Sequence, residues 1–401
     1  MLAVLISPLY ILVLVLLWYR TIKWLAACSS KLDNLLVSIV VGLVYALLAI
    51  SIPLAFLMPR GEAQRLVALV GNFWLGCIYY AVPILLIAEI IRLIVRAKRG
   101  MKKGDVFDRK FFRVSGTIVA LLIAGFVSVG IITSAKLHVV EYSVNVDKEL
   151  AGTESMKIVL IADTHMGYNM SVEKFEGIVK TIKEQDPDMI VWAGDVFDNS
   201  FKAVADPEKM SELMASIDCK YKFAVYGNHD IEEKILCGFT FPSKELRTQS
   251  REMDEFLDKA GFTILRDEAV SVDGFTVVGR RDPHKPGNKS NSRLSLDEVM
   301  KGVDTSKPVF MIDHQPRELQ EMCDSGVDID FSGHTHGGQL FPMTITSSMQ
   351  WQNHHGMIEL QAENGSHKMY SVVTSGAGLY GPVMRVGSQS EIMVVNVKFA
   401  K

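Results

Sequence analysis

The sequence of 401 residues is poor in cysteine, with five, and it has no internal repeat or low-complexity tract. The spacing of the cysteines fits neither a zinc ribbon nor a disulfide framework. In the second part of the chain we favour free buried thiols over a disulfide between Cys219 and Cys237. A composition of 49% hydrophobic and 22% charged residues excludes an intrinsically disordered chain and a collagen-like fibre.

Histidine is absent from the first third of the chain, and acidic residues are scarce there. Residues 1–135 contain 14 Lys and Arg against five Asp and Glu, a balance of +9. The remaining residues contain 42 − 14 = 28 basic and 45 − 5 = 40 acidic residues, a balance of −12, together with all ten histidines. An acidic folded part would repel phosphate backbones, so we expect no nucleic-acid partner.

Long apolar runs are plentiful in this first third. A helix needs about 20 apolar residues to cross a bilayer core. Four stretches come near that length, at about 2–18, 35–58, 66–91 and 114–134. The first stretch lacks the basic flank and the cleavage site of a signal peptide, so we expect a retained helix. We therefore predict a four-helix transmembrane anchor over residues 1–135, with Glu89 and Arg92 at the interface or in a helix–helix contact.

The charges between these stretches predict an orientation. Residues 96–113 include eight basic and two acidic residues, and residues 20–33 include three basic and one acidic residue. Positively charged loops stay on the cytoplasmic side. We therefore expect an integral protein of the plasma or inner membrane, with everything after Ser134 on the extracytoplasmic side.

After residue 136 the pattern changes to short apolar runs that alternate with stretches of helix length. The alternation predicts an α/β domain over residues 136–401, and about 265 residues are ample for a sizeable core. The predicted strands are 140–146, 158–162, 189–193, 223–226, 275–279, 309–312, 329–332, 370–374 and 392–397. The predicted helices are 172–184, 208–217, 252–260 and 317–325.

Polar residues follow five of the predicted strands directly. They are Asp163-Thr164-His165, Gly194-Asp195, Gly227-Asn228-His229-Asp230, Asp313-His314 and Gly333-His334-Thr335-His336. Ligands of open α/β sheets bind beyond the carboxyl ends of the strands, so we expect these side chains at one edge of a sheet. Any one pair could be a turn or a helix cap, but five in order indicate a site.

Carboxylate, amide and imidazole ligands together suit a divalent ion of intermediate hardness, and manganese, iron and zinc all qualify. Asp163 and His165 are alternate residues, as are His334 and His336. On an extended chain each pair would point to one side and could converge on one ion. Asp195 could bridge two ions, because each carboxylate oxygen can bind one.

The series DTH…GDVFD…GNHD…H…GHTH resembles the calcineurin-like metallophosphoesterases over about residues 137–401. The segments GHTHGGQLFP and YSVVTSGAGLYGPVMRVG resemble the membrane-tethered or exported branch of that superfamily. The resemblance implies a two-sheet β-sandwich flanked by helices, with two divalent metal ions.

The resemblance also implies roles for single residues. One ion would be held by Asp163, His165, Asp195 and His336, and the other by Asp195, Asn228, His314 and His334. His229 would act as general acid or electrostatic stabiliser beside the leaving group. Asp198 and Asp230 would orient the ligands and the catalytic histidine, with helix capping as the alternative. Tyr168 and Arg385 are candidates for substrate contact, although a structural role or a salt bridge fits Arg385 equally well.

These features predict a membrane-anchored, dinuclear metal-dependent phosphodiesterase or phosphatase, in which a metal-bridging hydroxide attacks phosphorus. The anchor favours a lipid-linked or cell-envelope substrate. The alternative is a non-catalytic membrane sensor or scaffold whose metal site is structural. The complete set of ligands, with His229 beside them, argues against that alternative.

Overall fold

A computed structural model describes the chain in two units. The first contains the residues up to Ile132 with two short later segments, and the second contains the rest. The four described cysteines are free, and Cys237 lies outside the described residues. Residues 101–105, in the predicted cytoplasmic loop, also lie outside them. The described residues are 2–59, 61–100, 106–233, 235–236, 239–240, 248–288, 290 and 292–401.

Within the described residues, four helices of the first unit are long and apolar enough to cross a membrane. Three of them, α1, α3 and α4, extend beyond the predicted apolar stretches, because the Lys, Arg and Glu residues that flank these stretches are good helix formers. Gly100, in the left-handed conformation, ends the third helix. The helices are α1 (Leu2–Cys28), α2 (Leu35–Leu57), α3 (Glu62–Arg99) and α4 (Val106–Ser134).

Charged side chains join the helices of the first unit. Arg20 and Lys23 were predicted in a loop, but they lie within α1, which continues to Cys28. Arg20 pairs with Glu89 of α3. Arg92 contacts the same carboxylate at 2.7 Å and lies 3.7 Å from Asp108 of α4. Glu89 and Arg92 therefore form a helix–helix contact, in which opposite charges compensate each other away from water.

The described strands number fourteen. Their bounds are β1 (Leu137–Glu149), β2 (Ser155–Ile161), β3 (Met189–Ala193), β4 (Tyr221–Val225), β5 (Ile235–Leu236), β6 (Phe239–Thr240), β7 (Thr263–Ile264), β8 (Glu268–Val272), β9 (Phe275–Gly279), β10 (Val309–Ile312), β11 (Ile329–Ser332), β12 (Gly356–Gln361), β13 (Lys368–Val373) and β14 (Ser390–Ala400). All except the β5–β6 hairpin form two mixed sheets of six strands, in the orders β1-β14-β2-β3-β4-β7 and β12-β13-β11-β10-β9-β8. Both sheets have a central block of parallel strands.

The main core of the second unit lies between the two sheets. Alternate residues of β2, such as Ile158 and Leu160, meet Phe275, Phe310 and Phe331 of the second sheet there. The residues between them point to the opposite face, as the two-residue period of a strand requires. There they pack against helices α5 (Val172–Gln185), α6 (Pro207–Ala215) and α7 (Arg251–Lys259).

The outer face of the second sheet packs on α8 (Leu296–Val299) and α9 (Leu319–Asp324). A further helix, α10 (Met343–Gln350), follows the last of the five polar motifs. The predicted fold class is confirmed: a two-sheet α/β sandwich flanked by helices, preceded in the chain by four apolar helices.

Candidate metal centre

The five polar motifs leave both sheets rather than one. Strands β2, β3 and β4 of the first sheet deliver the first three motifs, while β10 and β11 of the second sheet deliver the last two. The expectation of a single sheet edge was therefore wrong. The two groups of loops are joined by hydrogen bonds, for example from the His334 backbone N–H to both carboxylate oxygens of Asp163, at 2.9 and 3.1 Å.

Left-handed backbone turns bring the side chains together. The φ angles are 52° at Asp163, 43° at His165, 48° at Asp195, 69° at His334 and 51° at His336. The extended chain predicted for the two alternate pairs is therefore wrong. A residue other than glycine in this conformation costs about 1–3 kcal/mol, and such strain clusters at functional sites.

The first cluster consists of Asp163, His165 and His336, whose ligand atoms lie within 4.8 Å of one another. The Nε2 atoms of His165 and His336 are 3.0 Å apart. The same His336 nitrogen is 3.6 Å from Asp163 Oδ1. Two imidazole nitrogens and a carboxylate oxygen thus face one small volume.

The second cluster consists of Asp195, His314 and His334, again with ligand atoms within 4.8 Å of one another. His314 Nε2 lies 3.1 Å from Asp195 Oδ2 and 3.2 Å from His334 Nδ1. His314 Nδ1 donates to the carbonyl oxygen of Ala193 at 2.8 Å. This bond orients the ring and directs Nε2 into the cluster, as the outer hydrogen bonds of metal-binding histidines do.

Asp195 connects the two clusters through one oxygen. Its Oδ2 is 3.1 Å from His314 and 3.7 Å from His165 of the first cluster. Its Oδ1 accepts the backbone N–H of His229 at 2.8 Å. The predicted use of one oxygen for each ion therefore does not match this geometry, in which a single oxygen faces both clusters.

The donor set fits two divalent cations. Asn228 Oδ1 is buried without a hydrogen-bond partner, and a buried polar atom of this kind needs a partner that a cation would supply. Burial raises the pKa of Asp163 to about 7 and that of Asp198 to about 7. Bound cations would compensate these crowded carboxylates.

The histidines divide into two electrostatic classes. Burial lowers the pKa of His165 to about 3 and holds the pKa values of His334 and His336 well below the ordinary value. All three are therefore neutral and able to bind a metal. Burial alone would also lower the pKa of His314, but the Asp195 carboxylate raises it well above the ordinary value. A metal ion at this place would replace the proton of His314.

His229 lies beside both clusters and is held by a residue that the sequence analysis missed. Its Nδ1 pairs with Asn199 Oδ1, and the Asn199 backbone N–H donates to the His229 carbonyl oxygen at 2.9 Å. The ring of Tyr380, also missed, lies 4.4 Å from the His229 ring and 5.3 Å from the His165 ring. Asn199 follows the GDVFD motif directly, which was the available signal.

Comparisons with known proteins agree with this geometry. The sequence profile of the calcineurin-like phosphoesterases matches residues 156–338. An uncharacterized metallophosphoesterase of Aquifex aeolicus is 32% identical over 266 residues, which cover 65% of this chain and 92% of that protein. The chain belongs to the calcineurin-like phosphoesterase family. Membership implies a hydrolase at the family level, and members of this family generally use two divalent metal ions.

Two further relatives of this calcineurin-like phosphoesterase are longer than the matched region. A transmembrane protein with metallophosphoesterase domain from Danio rerio is 27% identical over 296 residues, which cover 71% of this chain and 63% of the relative. The phosphodiesterase YaeI of Escherichia coli is 28% identical over 195 residues, which cover 46% of this chain and 62% of the relative. The chain thus spans less than two thirds of each of these relatives.

The two predicted orienting carboxylates occupy different positions in the phosphoesterase site. Asp230 accepts the backbone N–H groups of Phe197 and Gly227, both at 2.7 Å, and so fixes two ligand-bearing loops to each other. Asp198 is less buried than Asp230, and its Oδ1 lies 3.9 Å from His165 Nδ1. Ligand atoms of Asp198, His165 and His229 form a third group within 4.8 Å of one another.

The two candidate substrate contacts also differ. Tyr168 is half-buried in the loop that follows the first ligands. Arg385 is fully buried, and its guanidinium donates to carbonyl oxygens of His336, Ser375 and Gly378 at 3.1, 2.6 and 2.9 Å. The guanidinium N–H groups of Arg385 are thus directed at backbone carbonyl oxygens. This favours the structural role for Arg385 over contact with substrate.

Proposed function

We propose that the protein is a membrane-anchored, dinuclear metal-dependent hydrolase of phosphoesters. Residues 1–135 would form the anchor, and residues 136–401 the catalytic domain. The observation that carries this proposal is the placing of Asp195 Oδ2 between two clusters of histidine and carboxylate ligands, with His229 beside them. A metal site that only stabilised the fold would not require a further histidine, His229, beside its ligands.

The residues that would hold the metal ions are those of the two clusters. One ion would take Asp163, His165, Asp195 and His336, and the other would take Asp195, Asn228, His314 and His334. Manganese, iron and zinc all suit this mixed donor set. When bound, such a pair supplies charge for the phosphoryl oxygens and an activated water at neutral pH.

His229 is placed to give a proton to the leaving oxygen. Asn199 holds its Nδ1, so Nε2 is the nitrogen left to face a substrate. Burial lowers the pKa of His229, which keeps the free ring neutral. An anionic phosphoester beside it would raise that pKa, since an opposite charge favours the charged form. The ring would thus become protonated when substrate binds, and His229 would act as the general acid.

Hydrolysis by the full-length chain in detergent tests this proposal. The substrates are bis-p-nitrophenyl phosphate and p-nitrophenyl phosphate, each assayed with Mn²⁺, Fe²⁺ or Zn²⁺. We expect His229→Ala to lower kcat by about 10²–10⁴-fold without loss of bound metal. His138→Ala, at an exposed position of β1, is the matched control and should leave kcat unchanged. Metal binding without hydrolysis in the wild type would favour the sensor or scaffold.

The side of the membrane is also part of the proposal. The basic residues between α3 and α4 favour a cytoplasmic position for that connection and an extracytoplasmic catalytic domain. Reporter fusions within residues 101–105 and after Lys401 test this, and a cytoplasmic C-terminus would contradict it. The balance of −12 after residue 135 makes a nucleic-acid substrate unfavourable, and the anchor favours a phosphoester that is linked to lipid or to the envelope.

A further inference from the structure

Helix α10 and the residue before its cap expose four large apolar side chains, here called the apolar patch. They are Phe341, Met343, Ile345 and Met349, with exposed fractions of 43%, 51%, 52% and 82%. Three of them are spaced by four residues, and Ile345 and Met349 are neighbours on one helix face. The four side chains of the patch thus belong to one short exposed segment.

This concentration of exposed apolar side chains is confined to one place. Among the described residues of the second unit, the other exposed large apolar side chains are Val139 and Leu294, at 37% and 42%. Four of the six thus fall within nine consecutive residues. Exposed apolar patches on soluble domains mark surfaces that bind a partner or a membrane.

The chain around the apolar patch carries no formal charge. The 28 residues from Phe331 to Ile358 contain no Asp, Glu, Lys or Arg. The hydroxyls of Thr346 and Ser348, on α10 itself, donate to the carbonyl oxygens of Met343 and Ile345, at 3.0 and 2.8 Å. Hydroxyls that are satisfied in this way are removed from water at little cost. The patch thus suits a hydrocarbon environment better than a charged protein or nucleic acid.

The apolar patch is joined to the metal centre. Helix α10 begins seven residues after the ligand His336. At its other end Trp351 packs edge to face on the ligand His334, with ring centroids 5.3 Å apart. The helix that carries the patch is therefore connected to a candidate ligand at each of its ends.

We propose that the apolar patch enters the headgroup–acyl boundary of a lipid bilayer and thereby offers the metal centre the phosphoesters of membrane lipids. The bilayer is the occupant, because the chain that carries the patch also carries four apolar helices, and two residues separate the end of α4 from the start of β1. The substrate class named here, a phosphoester borne by a lipid, rests on the proposed function.

Two substrates with the same leaving group test the consequence for activity. The full-length chain is reconstituted in phosphatidylcholine vesicles and assayed with soluble bis-p-nitrophenyl phosphate and with the p-nitrophenyl phosphodiester of dioleoylglycerol in the same bilayer. Ile345→Glu and Met349→Glu should lower kcat/KM for the lipid substrate by about tenfold or more, because a carboxylate resists entry into the bilayer boundary. They should leave the soluble substrate unaffected, and Leu294→Glu is the matched control for both.

A binding measurement separates this proposal from the proposed function. An environment-sensitive fluorophore is attached at Met349→Cys or, as control, at Leu294→Cys, in a chain whose natural cysteines are replaced by alanine. Bilayer-embedded nitroxide lipids should quench the label at position 349 and spare the label at position 294. If the wild type hydrolyses neither substrate, the proposed function fails, and the quenching still decides whether the patch meets the bilayer.

Three results would overturn the proposal. The first is equal quenching at both labelled positions. The second is an equal effect of the two glutamate variants on soluble and lipid substrates, which would show that α10 acts through the metal centre. The third is a change of oligomeric state in these variants with lipid hydrolysis unchanged, which would make the patch an interface between copies of this chain.

Discussion

A methyl group added at Gly227 should damage the metal centre by displacing Asp195. A Cβ atom there would lie 2.6 Å from the Asp195 backbone nitrogen and 2.7 Å from His314 Cδ2. Ordinary contact begins at 3.4 Å, so the neighbours would have to move by 3.4 − 2.6 = 0.8 Å and 3.4 − 2.7 = 0.7 Å. Metal sites tolerate deviations of about 0.2 Å in ligand distance. The effect is purely steric, because Gly227 has no positive φ.

The expected size of the effect follows from that displacement. Overpacking costs about 1–3 kcal/mol, which for a domain of this size lowers Tm by about 2–12 °C. Disturbed ligand support weakens metal affinity by about 10–100-fold. The assay is equilibrium dialysis of the full-length Gly227→Ala variant against graded Mn²⁺ or Zn²⁺, with bound metal measured by mass spectrometry and Tm by intrinsic fluorescence.

The control is Gly177→Ala in α5, where an added Cβ meets nothing within 4 Å. An exposed helical glycine replaced by alanine stabilises by roughly 0.5–1 kcal/mol, so Tm should rise slightly with metal affinity unchanged. If Gly227→Ala binds metal as tightly as the wild type, Asp195 and His314 are not ligands held by this turn, and the reasoning is refuted.

Three further predictions concern buried polar contacts. Asn199→Ala should lower kcat by about tenfold or more with bound metal unchanged, because His229 loses the partner of its Nδ1. Asn199→Asp should move the alkaline limb of the plot of kcat against pH to higher pH, because a carboxylate beside His229 favours the protonated ring. Burial raises the pKa of Asp330 to about 8, so the folded state loses stability as pH rises from about 4 towards that value. Asp330→Asn removes the ionisable group and should therefore raise Tm more at pH 9 than at pH 5. Asp328→Ala breaks a largely buried ion pair of 2.7 Å and should lower the free energy of unfolding by about 3–5 kcal/mol. Lys220→Ala, which removes one partner of an exposed pair of 2.7 Å, should leave it nearly unchanged.

Each of these predictions has a contradicting outcome. Loss of metal together with activity in Asn199→Ala would show that the residue supports the ligands rather than His229. A Tm difference for Asp330→Asn that does not vary with pH would show that the carboxyl ionises normally when folded. Equal stability losses in Asp328→Ala and Lys220→Ala in urea titrations would show that burial does not decide the strength of these pairs.

The central strands could be predicted from sequence because they are buried on both faces. Strands β3, β9, β10 and β11 have the predicted bounds, since a strand in the middle of a covered parallel sheet is a short, continuous apolar run. The edge strands β8 and β12 were not predicted. Their residues are partly exposed, and their sequences do not alternate cleanly between apolar and polar.

Helix α10 was not predicted for a different reason. Pro342 occupies its cap position and makes no side-chain cap bond, and its apolar residues point outwards. A helix that buries little of its apolar surface lacks the periodic signal by which buried helices are found.

The motifs that carry the candidate ligands were visible in sequence because each consists of a few consecutive residues. The residues that hold these side chains in place lie far from them along the chain. Asn199 and His229 are 30 residues apart. Arg280 follows β9 directly, yet it is 1% exposed and lies 3.7 Å from Asp313, the residue before the candidate ligand His314. Such pairings depend on which strands are neighbours in a sheet, here β3 with β4 and β9 with β10, and no spacing along the chain reports that.

The division of the candidate ligands between two sheets means that neither sheet alone can assemble the site. The first candidate ligand is Asp163 and the last is His336, and the buried guanidinium that binds the loops behind them belongs to Arg385, 49 residues after His336. The strand β14, which pairs with both β1 and β2, comes later still. A chain without β14 would therefore carry every candidate ligand but lack the strand that joins β1 to β2 in the first sheet.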